Sequence, residues 1–134
     1  MVIKLNATKN DHDQYLENLV FHLEFLNEDK KDIQWIMKDG LWQKGNDRFD
    51  WKPLCDLIVI YNFGYGIPIE LKGRWQAKPK AKQQICSGRE FIEEVLKIPA
   101  PYGKVVVYTE KGYEYKKFDF EIQEWGNKQF YPFK

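Results

Sequence analysis

The chain has 134 residues, enough for a single domain, residues 1–134, to bury a hydrophobic core without disulfides or a structural metal. An aromatic content of 16% and a charged content of 31% are typical of a globular protein and exclude an intrinsically disordered one. A net charge of +1 gives no overall attraction to nucleic acid, so such a partner would need a local basic patch. No apolar stretch approaches the roughly 20 residues that cross a bilayer, and the N-terminus lacks the apolar segment of a signal peptide. We therefore expect a cytoplasmic protein with no membrane partner, in which Cys55 and Cys86 are reduced.

Apolar spacing predicts the elements in the first part of the chain. Residues 11–27 carry one apolar stripe at three- and four-residue spacing, which is typical of an amphipathic helix. Residues 33–37 are predicted to form a first strand, followed by a turn at Asp39-Gly40. Residues 43–53 are polar and irregular, and we expect them to form a loop that borders a functional site.

The middle of the chain predicts a hairpin and a second helix. Two apolar runs, residues 54–61 and 67–72, are expected to pair as antiparallel strands. The helix is predicted at residues 80–97, and two prolines end it. Its expected buried side consists of Ala81, Ile85, Gly88, Ile92, Val95 and Leu96.

The last part of the chain predicts two strands and a tail. Residues 104–109 form a buried strand in this interpretation, and residues 113–120 form the last one. The aromatic tail, residues 123–134, is expected to dock on the body of the protein or on a partner. The order of helix, three strands, helix and two strands predicts an α/β fold with helices packed around a mixed sheet.

Three charged residues lie within the otherwise apolar hairpin strands. An unpaired charge in such a strand costs several kcal/mol or more, so these residues are candidates for a function. With a five-residue loop, Tyr61 faces Ile67, and Asp56 then lies opposite Lys72. Because side chains alternate along a strand, Asp56, Glu70 and Lys72 are expected to project from one face of the sheet.

Two carboxylates and one lysine on one face suit metal-assisted hydrolysis of a phosphodiester. Hard divalent cations prefer oxygen ligands, which Asp56, Glu70 and the backbone carbonyl of Leu71 offer. Lys72 is a candidate to orient the nucleophile or to stabilise the charge of the transition state. Glu17, on the first predicted helix, is a candidate to complete the site.

A basic segment follows the hairpin. It contains five cations and no acid within eleven residues, beginning at Lys72, and Trp75 lies among them. Such a segment favours contact with phosphates. The candidate nucleic-acid-binding residues are Arg74, Lys78, Lys80 and Lys82.

Asp56, followed after thirteen residues by Glu70-Leu71-Lys72 and preceded by a helix that bears Glu17, resembles the motif of the PD-(D/E)XK nuclease superfamily, which includes restriction-endonuclease-like and Holliday junction resolvase-like enzymes. The resemblance covers about residues 11–109. It implies a restriction-endonuclease-like core, in which a central mixed β-sheet is flanked by helices.

The resemblance also implies roles for individual residues. Asp56 and Glu70 would bind Mg²⁺ or Mn²⁺ together with the Leu71 carbonyl, Glu17 would be an outer ligand, and Lys72 would be catalytic. Members of the family that cut DNA often have a further Lys or Gln on the helix after the motif, and Gln84 is our candidate for that residue.

The sequence thus predicts a Mg²⁺-dependent nuclease that hydrolyses DNA, as an endonuclease and, where both strands are cut, as a homodimer. Two alternatives remain open. The chain is a non-catalytic nucleic-acid-binding module of the same fold if its acids only pair with lysines. It is a partner-assembly protein if its aromatic tail, from Trp125 to Phe133, binds another chain.

Overall fold

A computed structural model describes the backbone of residues 4–5, 19, 33–38, 40–43, 51–53 and 55–132, and the side chains of residues 19, 55–76 and 78–132. The elements below belong to these ranges. The strands are β1 (Lys4–Leu5), β2 (Ile33–Lys38), β3 (Gly40–Gln43), β4 (Trp51–Pro53), β5 (Leu57–Tyr61), β6 (Gly66–Lys72), β7 (Tyr102–Tyr108), β8 (Gly112–Asp119), β9 (Glu124–Trp125) and β10 (Gln129–Pro132). A short 3₁₀ turn, Trp75–Ala77, leads into the helix α1 (Lys78–Glu94).

The strands form two sheets. The larger one has the order β10-β8-β7-β6-β5-β2, with β9 also paired to β8, and the smaller one has the order β1-β3-β4. Among these described strands, only β6 and β7 pair in parallel, and the other pairings are antiparallel. A parallel pair needs a long crossover, which α1 supplies. The fold is therefore of the mixed α/β kind.

The centre of the larger sheet is buried on both faces, because the side chains of β5 and β6 alternate between two apolar layers. On one face, Ile58 and Ile60 pack with the buried side of α1. On the other face, Val59 and Ile69 pack with Leu19, which is helical and fully buried. All five residues of β5 are buried, as expected for a strand that is covered on both sides.

Most predicted elements of the second half agree with the structure, but the end of the helix does not. The helix ends at Glu94 rather than at residue 97, because Lys97 adopts a left-handed conformation with φ of 61°. Val95 and Leu96 therefore lie beyond the helix, half-buried at the edge of the core. Phe91, which the prediction missed, is buried in their place.

Two predictions outside the hairpin are resolved by strand pairing. The loop predicted at residues 43–53 is wrong at both ends, because Gln43 belongs to β3 and Trp51–Pro53 pairs with β3 as a strand. Residues 44–50 lie outside the described residues. Strand β4 lies at the edge of its sheet, where a proline is tolerated. The aromatic tail docks on the body of the protein, since β9 and β10 both pair with β8. The helix predicted at residues 11–27 lies outside the described residues except for Leu19.

Within the described ranges, no helix combines the length and the apolar character that spanning a membrane requires.

Candidate metal and nucleic-acid site

The hairpin of β5 and β6 has a register two residues away from the predicted one. Val59 pairs with Ile67 and Ile58 with Pro68, so the predicted pairing of Tyr61 with Ile67 and of Asp56 with Lys72 is wrong. The hairpin loop is shorter than the predicted five residues, because the Tyr61 N–H donates to the Tyr65 carbonyl at 3.0 Å. A shift of two residues preserves the face of every side chain, and it brings Asp56 next to Glu70 instead of Lys72.

Two hydrogen bonds from main-chain N–H groups to carboxylates, and one ion pair, join the predicted site residues. The Asp56 N–H donates to Glu70 Oε1 at 2.8 Å, and the Leu71 N–H donates to Asp56 Oδ2 at 2.8 Å. Lys72 Nζ lies 3.2 Å from Glu70 Oε2. The structure therefore brings Asp56, Glu70 and Lys72 together at the point where β5 begins and β6 ends.

Glu70 is the most strongly perturbed member of this cluster. It is only 1% exposed, whereas Asp56 is half-buried and the side chain of Lys72 is 19% exposed. Burial, together with the negative charge of Asp56, raises the pKa of Glu70 to about 8. The Asp56 N–H and the Lys72 ammonium oppose this shift. A buried acid beside a second acid is an environment that a cation would stabilise.

The buried thiol of Cys55 lies beside the same carboxylates. Burial raises its pKa well above the usual value, and the charges of Glu70 and Asp56 raise it further. Its Sγ donates to the Leu57 carbonyl at 3.2 Å. Because a thiolate is disfavoured here, we assign this cysteine a packing role.

Two carboxylates in contact fit part of a site for a hard divalent cation. The side chains described in the structure include no group of three His, Cys, Asp or Glu residues that could hold a metal ion. Glu17, the predicted outer ligand, lies outside the described residues. The side chain of Leu71 points away from the acids into the opposite core layer, so only its main chain could belong to the site.

Helix α1 places Gln84 near this cluster. A Cβ on Gly66 would contact Ile92, and a Cβ on Gly88 would lie 2.7 Å from Pro68 Cβ. Moving one helical turn toward the start of α1, from Ile92 to Gly88, therefore corresponds to moving two residues toward the end of β6, from Gly66 to Pro68. By the same step, Gln84 corresponds to the level of Glu70 along β6. The Oε1 atom of Gln84 is buried and has no hydrogen-bond partner among the described residues.

The predicted basic patch divides into two parts. Arg74 and Lys80 are exposed to solvent. Lys78 and Lys82 are half-buried, and their ammonium groups lie over aromatic rings of β9 and β8 at 5.2 and 4.8 Å from the ring centroids. Trp75, which lies within the basic segment, donates its indole N–H to Glu114 Oε1 at 3.1 Å.

Two lysines of the later strands were missed in the sequence analysis. Lys116 lies on the α1 face of β8, with its Nζ 5.3 Å from the centroid of the Trp75 ring. Lys104 is fully buried on the opposite face, with its Nζ 5.4 Å from the Tyr115 ring. A charge inside an otherwise apolar strand was the available signal for Lys104, whereas the position of Lys116 depends on strand pairing.

Comparisons of the chain with protein-family models, with curated proteins and with solved structures each find no match.

Proposed function

We propose that the protein is a metal-dependent nuclease of the PD-(D/E)XK type that acts on DNA. The observation that carries this proposal is the contact of Asp56, Glu70 and Lys72 at one end of the hairpin, where the buried Glu70 has a pKa of about 8. A perturbed acid beside a second acid and a lysine is typical of functional sites.

The fold supports the same proposal. Glu70 and Lys72 lie at the carboxyl end of β6, beside the parallel strand β7, and α1 crosses between these strands. In open α/β sheets, ligands bind at the carboxyl ends of the parallel strands. A mixed sheet with α1 on one face and the helical Leu19 on the other is also consistent with the core that the resemblance implies.

Each residue has a role in this proposal. Asp56 and Glu70 would hold Mg²⁺ or Mn²⁺, together with the Leu71 carbonyl. When bound, the cation would supply Lewis-acid stabilisation of the phosphate and would lower the pKa of a water molecule. Lys72 reaches the site from the end of β6 and stabilises negative charge on the substrate. Gln84, whose buried Oε1 needs a donor, orients the attacking water.

A second candidate function rests on the hydrogen bonds of the same carboxylates. Asp56 accepts from the main chain of β6, and Glu70 accepts from the residue before β5, so both acids also fasten the hairpin. In that case Glu70 neutralises Lys72 and the acids bind no metal. The protein is then a nucleic-acid-binding module of the same fold, without catalysis.

A cleavage assay separates the two candidates. The protein is incubated with linear, circular single-stranded and supercoiled DNA in Mg²⁺, in Mn²⁺ and in EDTA. The variants are Glu70→Gln and Lys72→Met, and Glu110→Gln is the matched control because Glu110 is an exposed acid on a turn. Thermal unfolding of every variant shows which of them remain folded.

The nuclease proposal predicts cleavage that needs the metal, disappears in the two site variants and persists in the control. Cleavage of circular DNA would identify an endonuclease. Full activity of a folded Glu70→Gln variant would exclude the proposed site. Metal-independent binding of DNA without cleavage, unchanged or strengthened in Glu70→Gln, would establish the binding module instead.

A further inference from the structure

Three lysines, two on α1 and one on the sheet face that α1 covers, each lie over an aromatic ring. We call Lys78, Lys82 and Lys116 the lysine row. A cation over a ring face is held by the ring's quadrupole at little cost to its hydrogen-bonding capacity. The pairs are Lys116 over Trp75 at 5.3 Å, Lys78 over Trp125 at 5.2 Å and Lys82 over Phe118 at 4.8 Å.

The rings below the lysine row are themselves fixed. Phe118 and Trp125 pair across β8 and β9 with ring centroids 4.9 Å apart. Trp75 is bound to Glu114, which lies two residues before Lys116 on the same face of β8. Because the rings are fixed, the lysine side chains over them lose less conformational freedom when a ligand binds.

The pairing of the strands leads from the acid cluster to the lysine row. Glu70 pairs with Val105 of β7, and Val105 pairs with Lys116 of β8. Residues paired in this way share a face, so Lys116 lies on the same face as Glu70, two strands away, or about 10 Å. Lys78 stands in the first turn of α1, just after the segment that follows Lys72.

The lysine row has no carboxylate partner among the described residues, whose ion pairs involve other cations. Arg89 also lies over a ring, that of Phe120 at 4.9 Å, but its Nε is paired with Glu93 at 2.6 Å. The row is therefore a set of fixed positive charges whose N–H donors remain available to an anion.

We infer that the lysine row binds successive phosphates of a nucleic-acid strand whose scissile phosphate lies at Asp56 and Glu70. The class of ligand rests on the proposed function, and the path rests on the geometry above. Because Val105 is buried beneath α1, the strand leaves the site past the first turn of that helix toward β8 and β9, rather than toward β5 and β2. Lys116 is a phosphate-binding residue in this arrangement, and the rings position the lysines instead of stacking on bases.

Strand β8 offers a matched control for this inference. Lys117 follows Lys116, lies over the ring of Tyr102 at 4.5 Å and points to the opposite face of the sheet. Lys116→Gln and Lys117→Gln therefore remove the same charge and the same kind of ring contact from two faces of one strand. Lys116→Arg keeps the positive charge at this position. A double variant, Lys78→Gln with Lys82→Gln, removes the other two charges of the lysine row.

Binding is measured by fluorescence anisotropy with labelled single-stranded and duplex DNA in EDTA, over a series of salt concentrations. We expect Lys116→Gln to raise Kd several-fold and to lower the slope of log K against log salt by about 0.7 for single strands or 0.9 for a duplex. The double variant should lose about twice as much of the slope. Lys116→Arg should restore the binding, and Lys117→Gln should leave Kd and the slope unchanged.

The results separate this inference from the proposed function. Equal losses for Lys116→Gln and Lys117→Gln, no loss for Lys116→Gln, or no binding of either DNA would overturn the path, even if the protein cleaves DNA. The predicted pattern in a protein that cuts no DNA would support the path and leave a binding module as the function.

Discussion

The buried carboxyl of Glu70 makes the stability of the protein depend on pH in a direction opposite to that of most acids. In the unfolded chain this carboxyl loses its proton near its ordinary value of 4.5, whereas in the folded protein it keeps the proton up to about pH 8. Its contribution to stability is therefore complete below about pH 4.5 and is lost as the pH rises through about 8. At about 1.4 kcal/mol per pH unit, the loss over this window approaches 5 kcal/mol.

Glu70→Gln removes this dependence because an amide does not ionise in the window. The contact with Lys72 becomes an ion pair only as Glu70 loses its proton, so its effect is already contained in the pKa of Glu70 in the folded protein. The difference in unfolding free energy between variant and wild type should therefore move in favour of the variant by up to about 5 kcal/mol between pH 4.5 and 9. The exposed acid Glu110, changed to Gln, gives the reference for the substitution itself.

Urea unfolding in EDTA at pH 5, 6, 7, 8 and 9 measures this difference. Using the difference removes the contributions of all other titrating groups that the two proteins share. A difference that stays constant within about 1 kcal/mol, or one that moves in favour of the wild type as the pH rises, would refute the burial argument for Glu70.

Three further predictions concern packing and exposure. Gly88→Ala should destabilise the protein by about 1–3 kcal/mol in urea unfolding, because its Cβ would lie 2.7 Å from Cys55 Sγ, whereas Gly126→Ala, with its nearest contact at 3.6 Å, should change stability little. A thiol reagent should modify Cys86 in the native protein and reach the buried Cys55 only after denaturation, and rapid native labelling of both would contradict the packing described. Trp75→Phe should raise the pKa of Glu114, as measured by NMR titration, because the hydrogen bond from the Trp75 indole holds that pKa low.

The faces of the hairpin were predictable from the sequence, but its register was not. A period of two assigns Glu70 and Lys72 to one face whichever residue of the partner strand lies opposite. The register depends on how the turn closes, here through the bond from the Tyr61 N–H to the Tyr65 carbonyl. The sequence therefore indicated the members of the site while pairing Asp56 with the wrong neighbour.

The positions of side chains that come from distant segments of the chain, relative to Glu70, were the hardest to predict. Lys116 lies level with Glu70, on the same face of the sheet, because of two strand pairings, one of them parallel. No local sequence pattern encodes such pairings. The level of Gln84 relative to Glu70 likewise depends on the close approach of Gly88 to Pro68. The helix period shows which residues of α1 are buried, but not the strand residue that each one meets.

The final strand also affects how copies of the protein can associate. β10 forms one border of the larger sheet, and Pro132, its last residue, has no N–H to offer a further strand. Borders of this kind resist the joining of sheets from separate molecules. If two copies act on opposite strands of a duplex, as the nuclease proposal allows, we expect them to associate through a different surface of the protein.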